Sequence, residues 1–240
     1  MIIQRFLNEA RELSLDFIGL IYPRVCAACG QNLVKGEEEI CLSCLLEVPK
    51  TNFHLDCENP VWKIFRGRVK IGFASSFLFF DKGGKVQSII HAIKYRGNQS
   101  LAKKLGLLYG QILIKDMLLN EVDYFIPIPL HTDKLKSRGY NQSEAFGMGL
   151  SEATGIPLLT TNLYRTENTA SQTRKSRIAR WENVKDIFAL HRPEEIQGKR
   201  IVILDDVVTT GSTLEAAAIS LQEAGAAQID ILTLACAIKI

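Results

Sequence analysis

The chain has 240 residues, 47% of them hydrophobic, which suits one sizeable core with a small appended module. A net charge of +3, from 29 Lys+Arg against 26 Asp+Glu, is no nucleic-acid signature by itself. Six cysteines without a secretory signal argue against a disulfide framework and for metal ligands and buried thiols, so a cytoplasmic protein is expected.

Ile3, Phe6, Leu7, Ala10, Leu13, Phe17, Leu20 and Ile21 recur at three- and four-residue steps and predict an amphipathic helix over 1–22, ending before Pro23. Arg5, Glu9, Arg11, Glu12 and Asp16 interrupt any signal-peptide or membrane-spanning pattern. Packing on the body of the protein is expected rather than membrane binding, because the polar positions are mixed in charge.

Cys26-Ala-Ala-Cys29 is followed, after eleven residues that begin with Gly30, by Cys41-Leu-Ser-Cys44. Two such knuckles let four thiolates converge tetrahedrally on structural Zn²⁺, and Gly30 suits the tight turn of the first. A redox pair is the weaker alternative, since it would be one C-x-x-C set in a βαβ unit. Four ligands would leave no open position for metal catalysis. The expected organisation is therefore a helix over 1–22, a zinc module over 23–66 and a main domain over 67–240. Cys57 stands alone and reads as a spare thiol.

The apolar run from Lys70 to Phe80 predicts a strand entering the main domain; helical spacing follows over Val86–Tyr95 and Leu101–Leu119, with Gly97 between. Asp123 to Pro129 reads as a strand ended by two prolines. Lys134 to Gln142 is basic and rich in hydrogen-bonding groups: Arg138 suits bidentate contact with a pyrophosphate, or the segment is a solvated loop. Gly147-Met-Gly149 falls inside a predicted helix and is too little of a dinucleotide fingerprint to matter. Arg165 to Arg180 carries Arg165, Arg174, Lys175, Arg177 and Arg180 against one acid, Glu167. With Trp181 and Tyr164 these cations suit a single nucleic-acid strand, or form a charged surface loop. Ile187–Leu190 and Ile229–Ile238 are expected to complete the sheet, with Cys236 a buried thiol.

The most informative stretch is Ile201-Val-Ile-Leu-Asp205-Asp206-Val-Val-Thr209-Thr210-Gly211-Ser212-Thr213. Four branched apolar residues predict a strand buried on both faces that stops at the two acids, where open α/β sheets place their ligands. A helix then starts, with Leu214, Ala217, Ala218, Leu221 and Ala224 at helical spacing and Gly225 as its stop. Backbone N–H groups and hydroxyls at that helix start form a site for a phosphate dianion, to which Gly211 allows close approach. Carboxylates would repel phosphate, so Asp205 and Asp206 suit sugar hydroxyls or a hydrated Mg²⁺. Helix capping needs only one oxygen of this run, and a Walker B acid would need a G-x-x-x-x-G-K-[ST] loop that does not occur.

This stretch resembles the phosphoribosyl diphosphate (PRPP) motif of type I phosphoribosyltransferases. That resemblance implies that Asp205 and Asp206 face ribose hydroxyls, that Thr209, Thr210, Gly211, Ser212 and Thr213 hold the 5′-phosphate, and that Mg²⁺ accompanies PRPP. By position, Arg165–Arg180 corresponds to the loop that closes over the substrate in such enzymes, which makes Lys175 and Arg177, with Arg138, candidate pyrophosphate ligands. Together with the double C-x-x-C, Ile93-Lys94-Tyr95-Arg96-Gly97, Ile126-Pro-Ile-Pro-Leu-His131 and Arg138-Gly-Tyr-Asn-Gln142, the chain is similar to the ComF family of competence-associated proteins. Thr169, Gln172, Arg180, Asn183 and Phe188 add to that likeness, while the further C-x-x-C that such sequences often carry after the first four cysteines is reduced here to Cys57. The resemblance implies an α/β fold with a mainly parallel sheet flanked by helices, after a zinc module. It also implies a link to DNA uptake, as a PRPP-dependent transferase, a PRPP sensor or a single-stranded DNA-binding accessory protein.

Overall fold

The computed structural model describes residues 23–116, 118–166 and 187–238. The helix expected over 1–22 lies outside them. The chain divides into two compact units at Val48 and Pro49.

The smaller unit pairs Val25 with Asn32 across the first knuckle, where Gly30 takes φ +76°, and its helix α1 spans Leu42–Glu47. Residues 49–66, expected with this module, lie instead in the larger unit. The physical reason is apolar: Val61 and Phe65 of helix α2 (Pro60–Phe65) are fully buried in the main core. Asn59 ties the segment down, capping α2 through its Oδ1 while its Nδ2 donates to the carbonyl of Ala74 at 2.7 Å.

The larger unit holds a sheet of four parallel strands in the order β1-β6-β5-β2, with β1 Ala74–Phe79, β2 Tyr124–Pro127, β5 Arg200–Val208 and β6 Gln228–Cys236. Among the described residues its helices, besides α2, are α3 (Lys85–Tyr95), α4 (Gln99–Lys115), α5 (Thr132–Arg138), α6 (Gln142–Thr154) and α7 (Ser212–Glu223). Ile201 to Leu204 are all fully buried, as a strand covered on both faces must be. Ile201 and Ile203 pack in one cluster with Leu214, Ala217 and Leu221 of α7, whereas a Cβ at Gly147 of α6 would meet Leu204 at 2.7 Å. Successive strand residues face opposite ways, so α7 and α6 cover opposite faces.

Helices α4 and α6 approach backbone to backbone. A Cβ at Gly106 would lie 2.1 Å from the carbonyl oxygen of Phe146, and one at Gly149 would lie 1.9 Å from that of Lys103. Gly149 thus belongs to a helix crossing, consistent with its expected place inside a helix.

Two sequence expectations are corrected. β5 does not stop at the acids but continues through Val207 and Val208, which pair with Ala235 and Cys236 of β6; Val208 is 1% exposed, so burial of these β-branched residues carries the strand past the carboxylates. Phe188–Leu190 does not join the main sheet: as β4 it pairs antiparallel with β3 (Leu163–Arg165) in a separate two-stranded sheet. Apolar content fixed it as a strand but carried no information about its partner. Cys57 is exposed and Cys236 is buried at the end of β6. No helix among the described residues is long and apolar enough to cross a membrane.

Candidate functional site at the carboxyl end of the sheet

β5 carries its two acids into a region where neighbouring motifs converge. Asp205 Oδ1 accepts hydrogen bonds from its neighbour's amide, Asp206 N, at 2.8 Å and from Ser143 Oγ, at the start of α6, at 3.0 Å. Burial, reinforced by the adjacent charge of Asp206, pushes the Asp205 carboxyl up to about 7. Asp206 meets a cation: Lys94 Nζ, from the last turn of α3, lies 3.1 Å from its Oδ2. Adjacent carboxylates therefore occupy different environments, one paired with an ammonium and one hydrogen-bonded to neutral donors.

Beyond Val208 the chain makes the hydroxyl-rich turn. Asp205, Val207 and Val208 line a pocket of ≈ 40 Å³ together with Thr209, Thr210, Gly211, Ser212, Thr213 and Leu214. Gly211 is the N-cap of α7 with φ +74°, and a Cβ there would lie 2.7 Å from Ile64 Cγ2 and 2.9 Å from Phe65 Cε1. Glycine is required twice over, by backbone angle and by space. The Thr210 and Ser212 hydroxyls lie 3.1 Å apart, and Thr209 and Thr210 are exposed. Amides of a helix start, the hydroxyls of Thr209, Thr210, Ser212 and Thr213 and one half-buried carboxyl give the pocket polar groups of the kind that receive a phosphate.

The Arg138–Gln142 segment wires the rest of the sheet's end together. Tyr140 donates its hydroxyl to the Ile93 carbonyl on α3, Asn141 Nδ2 donates to the Ile128 carbonyl at 2.9 Å, and Asn141 Oδ1 caps α6 through Ser143 N. Burial raises the Tyr140 phenol to about 12, and the nearby Asp206 charge adds to this. Arg138 Nη1 donates to Gln142 Oε1 at 2.7 Å, and its guanidinium lies 5.8 Å from the centre of the exposed Tyr95 ring. The structure thus brings together Asp205 and the turn 209–213 in one pocket, while Arg138 sits outside its lining against Tyr95. Lys175 and Arg177, with Arg174, Arg180 and Trp181, lie outside the described residues.

Three further residues matter that the sequence had not singled out for this site: Lys94, Ser143 and Arg68. Lys94 lay within the Ile93–Gly97 segment, the one local signal available. Ser143 had none. Arg68 Nη1 donates to the Thr210 carbonyl at 2.8 Å, and its Nη2 pairs with Glu215.

In the smaller unit, the thiol sulfurs of Cys26, Cys29, Cys41 and Cys44 all lie within 4.8 Å of one another. Sulfurs about 2.3 Å from a tetrahedral zinc are about 3.8 Å apart; Cys29 and Cys41 are separated by 3.9 Å. Backbone amides already point at the sulfurs, Cys41 N at Cys26 Sγ (3.3 Å) and Cys44 N at Cys41 Sγ (3.4 Å), an arrangement that favours thiolates. The residues fit a metal ion and could bind zinc.

The parallel sheet, the acid pair and the turn at the start of α7 define a phosphoribosyltransferase-type domain, and residues 103–238 match the family model described as phosphoribosyl transferase domain. The chain belongs to that family. It is 29% identical to the DNA utilization protein YhgH of Shigella flexneri over 86% of this chain and 88% of that one. It is 35% identical to Competence protein F of Haemophilus influenzae, over 46% of this chain and 48% of that protein. With Competence protein ComFC of Bacillus subtilis it shares 24% identity over 84% of this chain and 86% of the relative.

Proposed function

We propose that the larger unit binds Mg²⁺-PRPP and transfers its phosphoribosyl group to an acceptor with release of pyrophosphate, in the service of DNA uptake or utilisation. The observation that carries this reading is the shared pocket of Asp205 and the turn 209–213, a carboxyl beside a helix-start phosphate site. Asp205 and Asp206 hold the ribose hydroxyls, the amides and hydroxyls of Thr209 to Thr213 hold the 5′-phosphate, and Arg138, Lys175 and Arg177 serve the pyrophosphate. The link to DNA rests on the names of the relatives alone.

In the reaction, an acceptor nucleophile bonds to the anomeric carbon as the bond to pyrophosphate breaks, and the pyrophosphate leaves with both bonding electrons. Mg²⁺ offsets the charge of the departing group when bound. The protein's own part is to fix the sugar and phosphate so that the anomeric carbon is held for attack, and to offset charge that develops there. Zinc in the four-cysteine cluster has a structural part, since all four ligand positions are thiolates.

Calorimetry with PRPP and Mg²⁺ tests the reading. Wild type binds and Asp206→Asn binds at least about tenfold more weakly, the scale of a lost charge-assisted hydrogen bond. Absence of any heat with the folded wild type would remove the reading. Pyrophosphate release with candidate acceptors then separates a transferase from a protein that only senses PRPP.

A further inference from the structure

We propose that Arg68, a residue preceding the matched domain, is the positioning residue of the phosphate turn; this rests on the reading of Thr209–Thr213 as a phosphate site. Arg68 Nη1 donates to the Ile64 carbonyl at 3.2 Å and to the Thr210 carbonyl at 2.8 Å, while Nη2 pairs with the Glu215 carboxylate. One planar guanidinium thus holds the end of α2, the middle of the turn and the first turn of α7.

The geometry gives this clamp a direction. The Thr210 carbonyl and the Gly211 N–H belong to one trans peptide, so they point opposite ways. With the carbonyl oxygen fixed on Arg68, the Gly211 N–H must face away from Arg68. The backbone cannot back off, because Gly211 already sits against Ile64 and Phe65 with no room for a Cβ. α2 and Arg68 therefore form a wall behind the turn.

Charge gives a second effect. Glu215 lies in the first turn of α7, where an anion gains from the helix dipole, and its side chain is only 13% exposed. Left alone, that carboxylate would repel a phosphate arriving at the same helix start. Arg68 offsets it without touching the ligand. A lysine would carry the charge but not the fork that spans a carbonyl and a carboxylate.

The test uses the full chain, ¹⁵N-labelled, with ribose 5-phosphate as probe and Mg²⁺-PRPP beside it. Arg68→Ala is expected to weaken ribose 5-phosphate at least about tenfold, to move the Gly211 amide resonance, and to speed its exchange with solvent, with melting still cooperative. Glu215→Gln placed on Arg68→Ala should recover part of the affinity but not the amide signature, which separates charge from orientation. Arg68→Lys should also keep the charge and lose the amide signature, and it carries the test alone if the alanine variant does not fold. Wild-type affinity in the Arg68 variants, with wild type binding normally, overturns the clamp and leaves the site reading intact. If wild type binds neither probe, the site reading is lost, and the clamp is then decided by the Gly211 amide: unchanged overturns it, shifted upholds it.

Discussion

Lys94 Nζ stands 3.1 Å from Asp206 Oδ2, so the second acid of the pair owns a cation, while Asp205 beside it takes its hydrogen bonds from a serine hydroxyl and an amide. A motif that reads as two equal carboxylates is electrostatically lopsided once folded. The partner comes from the far end of α3, and its side chain and that of Asp206 are 20% and 12% exposed.

Replacing Lys94 by Met should strand Asp206 without its counter-charge. At this burial we expect a loss of about 2 kcal/mol, or about 4–8 °C in Tm for a domain of this size. Adding Asp206→Asn to Lys94→Met should return part of that loss, since it removes the unpaired charge. Thermal denaturation of the single and double variants measures the coupling, and additive losses would show that the pair contributes nothing.

Asp205 gives a pH dependence of unusual sign. Its carboxyl is raised to about 7 by burial and by Asp206, so the native state holds a proton that the unfolded chain has already released. Stability from this group is complete below the ordinary carboxylate value and falls as pH rises from about 4 to about 7. Asp205→Asn, which cannot ionise, should melt higher than wild type at pH 8 and show no such advantage at pH 4. A wild-type advantage at pH 8 would contradict the assignment.

Gly211→Ala brings a Cβ into a backbone with φ +74° and to within 2.7 Å of Ile64. Strain and overlap together should cost about 2–4 kcal/mol, with loss of ribose 5-phosphate binding. Ile64→Ala in the same chain should relieve the closest overlap but neither the contact with Phe65 nor the backbone strain. Urea denaturation of both variants reads the two parts separately, and Gly211→Ala melting like wild type would mean that the turn is free to move.

The four-cysteine cluster predicts about one zinc per chain in the purified protein. Cys41→Ser should release it and leave the parallel-sheet domain folded, because the larger unit has its own core. Metal analysis with circular dichroism checks both halves; retention of stoichiometric zinc by Cys41→Ser would remove Cys41 from the ligand set.

What could be read from the sequence was local. The buried strand with its acid pair, the turn and helix after it, and the two knuckles each occupy a few consecutive residues whose chemistry is visible in the string. What could not be read depends on contacts between distant segments. Ser143 reaches Asp205 across 62 residues and Arg68 reaches Thr210 across 142, and neither carries a neighbouring motif that announces the partner. The placement of 49–66 failed for the same reason: its proximity to the cysteines was plain, whereas the burial of Val61 and Phe65 in the main core appears only on folding. The end of β5 was misjudged because two acids look like a strand terminus until Val207 and Val208 are seen paired to β6.

The bare crossing of α4 and α6 has a consequence for how this fold can vary. Gly106 and Gly149 let two helices share a seam with no side-chain padding, and the same α6 presents Ser143 to Asp205. A single methyl group added at that seam would push the two helices apart and, with them, the start of α6 that carries Ser143, so packing remote from the acid pair sets the limits on change beside it.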